Sequence, residues 1–133
     1  MKRRKNSVMY VVAALLMLGS AGCAPLVIGG AAVTAGAGTY VYVQGELKTD
    51  YPYQFEQVWN ATERVFADMR GIDVIPEKEI GKGRIEGIID SEKVRVTITY
   101  KARELTNVSV RVGLIGDRTA SQRIHDKIGA ILQ

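Results

Sequence analysis

The sequence predicts an α+β domain: an antiparallel sheet with two helices on one face, in the order β-α-β-β-β-β-α, behind an export signal and a Gly/Ala-rich tether. Three observations predict it. Lys93 to Lys101 and Val108 to Leu114 alternate apolar and polar residues, the mark of strands with one buried face. Phe55 to Met69 and Ala120 to Leu132 repeat apolar residues at helical spacing. Charge is confined to the two ends of this layout, because the 40 residues from Asn6 to Gly45 carry none.

The N-terminal part comes first. Lys2, Arg3, Arg4 and Lys5 precede an apolar run from Val8 to Leu18, and Gly19-Ser20-Ala21-Gly22 then supplies small residues. This is the three-part layout of a secretory signal peptide over residues 1–22, and the apolar run is short for a membrane span. The formal charge of the whole chain is +4, but the four basic residues of the signal account for all of it. From Glu46 onward there are 14 acidic and 14 basic residues, so the exported part has no basic bias toward nucleic acid. A hydrophobic fraction of 47% disfavours disorder, and a single Cys excludes a disulfide framework.

Ser20-Ala21-Gly22-Cys23 resembles the lipobox of bacterial lipoproteins, although Ser20 stands where that family usually has Leu. The resemblance implies cleavage before Cys23, acylation of its thiol and attachment to a membrane without a spanning helix. Two or more acyl chains suffice for stable anchoring. The residue after Cys23 is Ala24 rather than the Asp that commonly signals inner-membrane retention in such lipoproteins. The implied location is therefore the inner leaflet of the outer membrane, facing the periplasm.

Residues 23–38 read as the lipidated Cys and a Gly/Ala-rich apolar tether, and residues 39–133 as a small periplasmic domain. Leu26 to Val43 is uncharged and long enough to raise a second membrane segment, hence a two-segment inner-membrane protein, as the alternative. Gly29, Gly30, Gly36 and Gly38 argue for the flexible tether over a helix that packs on a partner.

Within the domain, Thr39 to Leu47 is expected as one strand with Val41, Val43 and Leu47 on one side. Asp50 and Pro52 announce the first helix, and Gly71 stands where a C-terminal cap is expected. Ile72 to Ile75 is a short strand ended by Pro76, followed by a polar loop from Glu77 to Lys82. Arg84 to Asp90 is a strand, Ser91-Glu92 a tight turn, and the two alternating strands follow, with Leu114 on the buried side of the second. Asp117 is the expected N-cap of the last helix.

This mature part resembles a domain-of-unknown-function family of short bacterial envelope lipoproteins, numbered thirty-five sixty-eight in its series. The resemblance rests on Cys23, the Gly/Ala-rich stretch, Val58-Trp59-Asn60-Ala61-Thr62 and Gly113-Leu114-Ile115-Gly116-Asp117 leading to Ser121 and Ile124. That family has no established activity, so the resemblance implies class and location alone.

Catalytic constellations are scarce. His125 is the single His, and its neighbours Asp126 and Lys127 suggest the solvated side of the last helix. No Cys/His cluster has zinc spacing, Gly81-Lys82-Gly83 lacks the rest of a phosphate loop, and no cofactor is expected. Arg84, Lys93, Arg95, Lys101 and Arg111 fall on the wet sheet face with Glu86 partly compensating. They are a candidate partner face for an envelope protein or an anionic polymer, against the alternative of ordinary cross-strand charge pairs. The competing class is an enzyme working through carboxylates such as Glu77, Glu79 and Glu86. A cleft converging on two of them favours that class, whereas a flat face favours an interaction module.

Overall fold

Strict alternation in the second half of the chain is what sets the architecture, because each alternating strand must bury one face and wet the other. The computed structural model describes residues 39–133. The signal peptide, Cys23 and the tether lie outside the described residues. The elements are β1 (Val41–Val43), β2 (Glu46–Tyr51), α1 (Phe55–Asp68), β3 (Ile72–Glu79), β4 (Lys82–Ile89), β5 (Glu92–Ala102), β6 (Leu105–Val112) and α2 (Arg118–Leu132). The strands form one antiparallel sheet of order β1-β2-β6-β5-β4-β3. The chain crosses from β2 through α1 to the far edge, then returns as a β3-β4-β5-β6 meander that seats β6 against β2.

Both helices cover the same face. The sheet contributes Leu47, Ile85, Val96, Ile98, Val108 and Val110, all fully buried. Helix α1 meets them with Val58, Trp59, Val65 and Phe66, and α2 with Ile124 and Ile128. Two glycines of β4 make room for the aromatic side chains of α1. Gly83 lies under the Trp59 ring and Gly87 under Phe66, so the helix approaches the sheet where a Cβ would obstruct it. The α+β class and the order of the expected elements are those observed.

Several details differ, each for a local reason. The first β element is a hairpin, not one strand. It turns at Gln44 and Gly45, both at positive φ, a two-residue connection suited to the strand twist. The reversal puts Tyr42, opposite Leu47, on the helix side and sends Val41 and Val43 to the other face. Helix α1 starts at Gln54, whose backbone N–H donates to the Gln57 side chain. Asp50 belongs to β2. At the other end Arg70, not Gly71, takes the left-handed conformation (φ 53°). The Arg70 and Gly71 N–H groups then return to Ala67 and Phe66 in a Schellman closure.

Strand β3 does not stop at Pro76. It runs to Glu79 as the outermost strand, where a missing N–H costs no ladder bond, after a bulge between Ile72 and Ile75. The β4–β5 turn is Asp90-Ser91, both at positive φ. Strand β6 ends at Val112, so Leu114 leaves the buried row and lies 90% exposed. Asp117 caps α2 as expected, its carboxylate accepting from the Ala120 N–H. Among the described residues no helix is long and apolar enough to cross a membrane.

Candidate functional site: a neutralised sheet face and an apolar corner

Antiparallel register places charged residues of neighbouring strands directly opposite one another, and it decides the fate of the basic face. Glu86 faces Arg95, Glu77 faces Arg84 and Glu79 faces Lys82. The Glu86 carboxylate accepts from Arg95 Nε at 2.6 Å and lies 3.7 Å from Lys93 Nζ. The Arg95 hydrogen bond and the surrounding cations hold its carboxyl below the ordinary range. Lys101 sits at the other end of β5, 3.1 Å from Asp50. Arg111, opposite Arg95, turns away and donates to the Leu114 carbonyl.

The structure therefore brings Arg84, Lys93 and Arg95 together around Glu86, sets Arg111 toward Glu46 and the Leu114 carbonyl, and keeps Lys101 apart with its own carboxylate. Glu46 adds a third acidic centre. Partial desolvation works to raise its pKa, but hydrogen bonds from Ser109 and Lys48 win and hold it low. The face is a lattice of cross-strand pairs, each of which is worth little alone at this exposure. Glu77, Glu79 and Glu86, the candidate catalytic carboxylates, each stand opposite a cation. Among the described residues no three His, Cys, Asp or Glu side chains are grouped to hold a metal ion.

His125 is not on the solvated side of α2. It is completely buried, and burial pushes its pKa down to about 4. Its Nε2 lies 2.8 Å from the Leu47 carbonyl, which can only accept, so this nitrogen carries the proton. Nδ1 then accepts from the Tyr51 hydroxyl at 2.9 Å, and the single proton of that hydroxyl also faces the His125 carbonyl at 3.0 Å. Tyr51 stacks on the imidazole and Tyr40 meets its edge. Burial raises the pKa of both phenols. The cluster ties β2, the start of the domain and α2 together with every ring nitrogen partnered, which is a structural arrangement. A signal for it existed in the sequence. Ser121, Ile124, His125 and Ile128 follow an i, i+3, i+4, i+7 pattern, and all four are buried.

At the end of the sheet where β4 and β6 finish and β5 begins, an apolar corner opens. A groove of about 600 Å³ is floored by Ile89, Val94, Val112, Ala120 and Ile124, with Met69 of α1 at one side. Its rim carries Asp90, Glu92, Asp117, Arg118 and Arg123. The loop Gly113-Leu114-Ile115-Gly116 forms part of its lining and carries Leu114 and Ile115, each 90% exposed.

That loop is firmly held. Gly113 N–H donates to Lys93 O and Asp117 N–H to Val112 O, while Tyr42 Oη donates to Gly116 O at 3.0 Å. Gly45 of the β1–β2 turn packs directly on Ile115 and Gly116, at a distance only glycines permit. Two large apolar side chains on an anchored loop are an unusual use of surface. Sequence reasoning missed them because Leu114 continued the alternation of β6.

The model of the family described as "Protein of unknown function (DUF3568)" matches residues 7–130. The chain belongs to this family. The match takes in most of the chain, including the Cys23 region, the whole sheet and the 113–116 loop of this DUF3568 protein. No curated protein matches it.

Proposed function

We propose that this DUF3568 protein is an envelope lipoprotein, tethered through an acylated Cys23 to the periplasmic leaflet of the outer membrane. Its domain serves a structural or protein-interaction role. The observation that carries the reading is Ser20-Ala21-Gly22-Cys23, set directly after a basic and then apolar N-terminus. Acyl chains at that one residue supply the anchor, since each buried methylene contributes about 0.8 kcal/mol. Glu77 and Glu79 line a small open hollow of about 150 Å³ together with Lys82 and Arg84, and Glu77, Glu79 and Glu86 are each matched by a cation across the sheet, which supports an interaction role over catalysis. A general acid or base needs a pocket and an oriented partner. The absence of net charge from Glu46 onward supports a partner other than nucleic acid.

Mass spectrometry of the mature N-terminus tests the anchor. A chain that starts at a lipid-modified Cys23 supports it, and an intact Met1 refutes it in favour of a two-segment membrane protein. Cys23→Ala is expected to leave the domain folded and release it from membranes.

A further inference from the structure

We infer that the corner formed by β1 and the 113–116 loop is a lipid-facing surface, laid against the same leaflet that holds the anchor. The inference rests on the lipid-anchor reading and adds an orientation of the domain to it. Large apolar side chains exposed on the domain fall mainly in two groups, one along the edge strand β3 (Ile72, Val74, Ile75) and one where the chain enters the domain. Val41, Tyr42 and Val43 belong to the first strand, 39 to 46% exposed, and Leu114 and Ile115 stand beside the turn that ends it. Tyr42 meets the loop through its bond to Gly116, while Val41 and Val43 lie on the other face of the same edge strand. The uncharged stretch from Leu26 to Val43 leads in sequence into this strand, so of the two groups this one directly follows the anchor segment along the chain.

The loop is suited to insertion because its shape is fixed in advance. The Tyr42–Gly116 bond and the packing of Gly45 on Ile115 hold Leu114 and Ile115 outward, so little ordering accompanies contact with lipid. Exposed apolar residues with a Tyr among them match the acyl–headgroup boundary. Charges flank the patch. Arg111 donates to the Leu114 carbonyl and Arg118 begins the last helix, with Glu46 and Asp117 of opposite sign beside them. Contact with lipid is thereby driven by apolar area more than by charge.

The experiment uses the full acylated protein in vesicles of phosphatidylethanolamine and phosphatidylglycerol. With Cys23 acylated, Ile115→Cys carries a lone thiol for an environment-sensitive fluorophore. Ile80→Cys serves as the reference, because Ile80 is fully exposed at the β3–β4 turn, on the opposite end and edge of the sheet. A blue shift at 115, with emission lost to a lipid bearing a nitroxide near the headgroup, is expected, while the label at 80 stays water-like. Flotation with the vesicles but a water-like signal at 115 overturns the lipid-facing surface and leaves the anchor standing. Failure to float overturns the anchor and this proposal with it. A blue shift that arises without lipid and grows with protein concentration marks self-association and also overturns it. Leu114→Ser with Ile115→Ser, at positions that touch little of the core, is expected to keep the fold and halve or more the quenching of a label at Val43→Cys. Unchanged quenching overturns the role of the loop.

Discussion

Mild acid should destabilise this domain through one residue. His125 is fully buried and neutral, with Nε2–H donated to Leu47 and Nδ1 accepting from Tyr51. Its folded pKa of about 4 lies below the ordinary value of 6.5. An unfolded chain therefore takes up a proton near pH 6.5 that the folded chain refuses until about pH 4. The unfolded state binds more protons in this window, so the contribution of His125 is present above pH 6.5 and is lost as pH falls. At about 1.4 kcal/mol per pH unit, acidification from pH 7.5 to 4.5 costs roughly 2.5 kcal/mol. For a domain of this size that corresponds to a fall in Tm of roughly 10 to 20 °C. Glu46 and Glu86 do not confuse the window. Their pKa values are lowered from 4.5, so their stabilisation is held above that pH and is lost only below it.

Trp59 is the single tryptophan and is buried, so its emission reports urea unfolding of the Cys23→Ala protein at each pH. His125→Gln provides the comparison, because it keeps an N–H donor for Leu47 and cannot titrate. The variant is expected to be less stable at pH 7.5 but to lose little more by pH 4.5. Equal stability of the parent at both pH values refutes the reasoning, as does an equal loss in His125→Gln.

Four other outcomes follow from packing and hydrogen bonding. Tyr51→Phe removes the donor to a buried imidazole nitrogen and is expected to cost about 1–3 kcal/mol in urea unfolding at pH 7.5. Gly83→Ala places a methyl against the Trp59 ring, and overpacking of about 1–3 kcal/mol should appear together with an altered Trp emission. Gly45→Ala sets a Cβ against the Ile115 carbonyl at a backbone φ of 83°, so a loss of roughly 1–3 kcal/mol is expected, with faster amide exchange in the 113–116 loop. Thr49 Oγ1 is buried without a hydrogen-bond partner among the described residues, so Thr49→Val should be neutral or stabilise by about 1 kcal/mol in thermal unfolding.

Legibility followed the length of each pattern. Strand β5 and helix α1 were readable because eleven and fourteen residues repeat one period with few exceptions. The β1–β2 hairpin was not. Its two-residue turn uses Gln44 at positive φ, a conformation the side chain does not announce, and Val41, Val43 and Leu47 mimic a continuous strand across it. Strand β3 was cut short at Pro76 because the sequence carries no sign that it would be an edge, which depends on the return of β6 to β2. His125 was placed outside because Asp126 and Lys127 dominate its neighbourhood, whereas its burial comes from Tyr40 and Tyr51, distant in sequence. The basic face failed for a related reason. Strand membership puts the five cations on one side, but only register reveals that Glu86 lies between Arg95 and Lys93.

These cases share a cause that bears on function. A sheet face whose charges are largely matched by register has little pull left for an anionic partner, since Arg84, Lys93, Arg95 and Lys101 each have a carboxylate within reach or opposite. A corner whose apolar side chains are held outward by glycine packing and a Tyr42 hydrogen bond has the reverse property, because its exposed area is unsatisfied by the fold itself. The domain therefore offers a nearly neutral polar surface on the sheet face and exposed apolar area at its two edge strands and the 113–116 loop. Any account of its role that begins from the basic residues starts at the less reactive of the two.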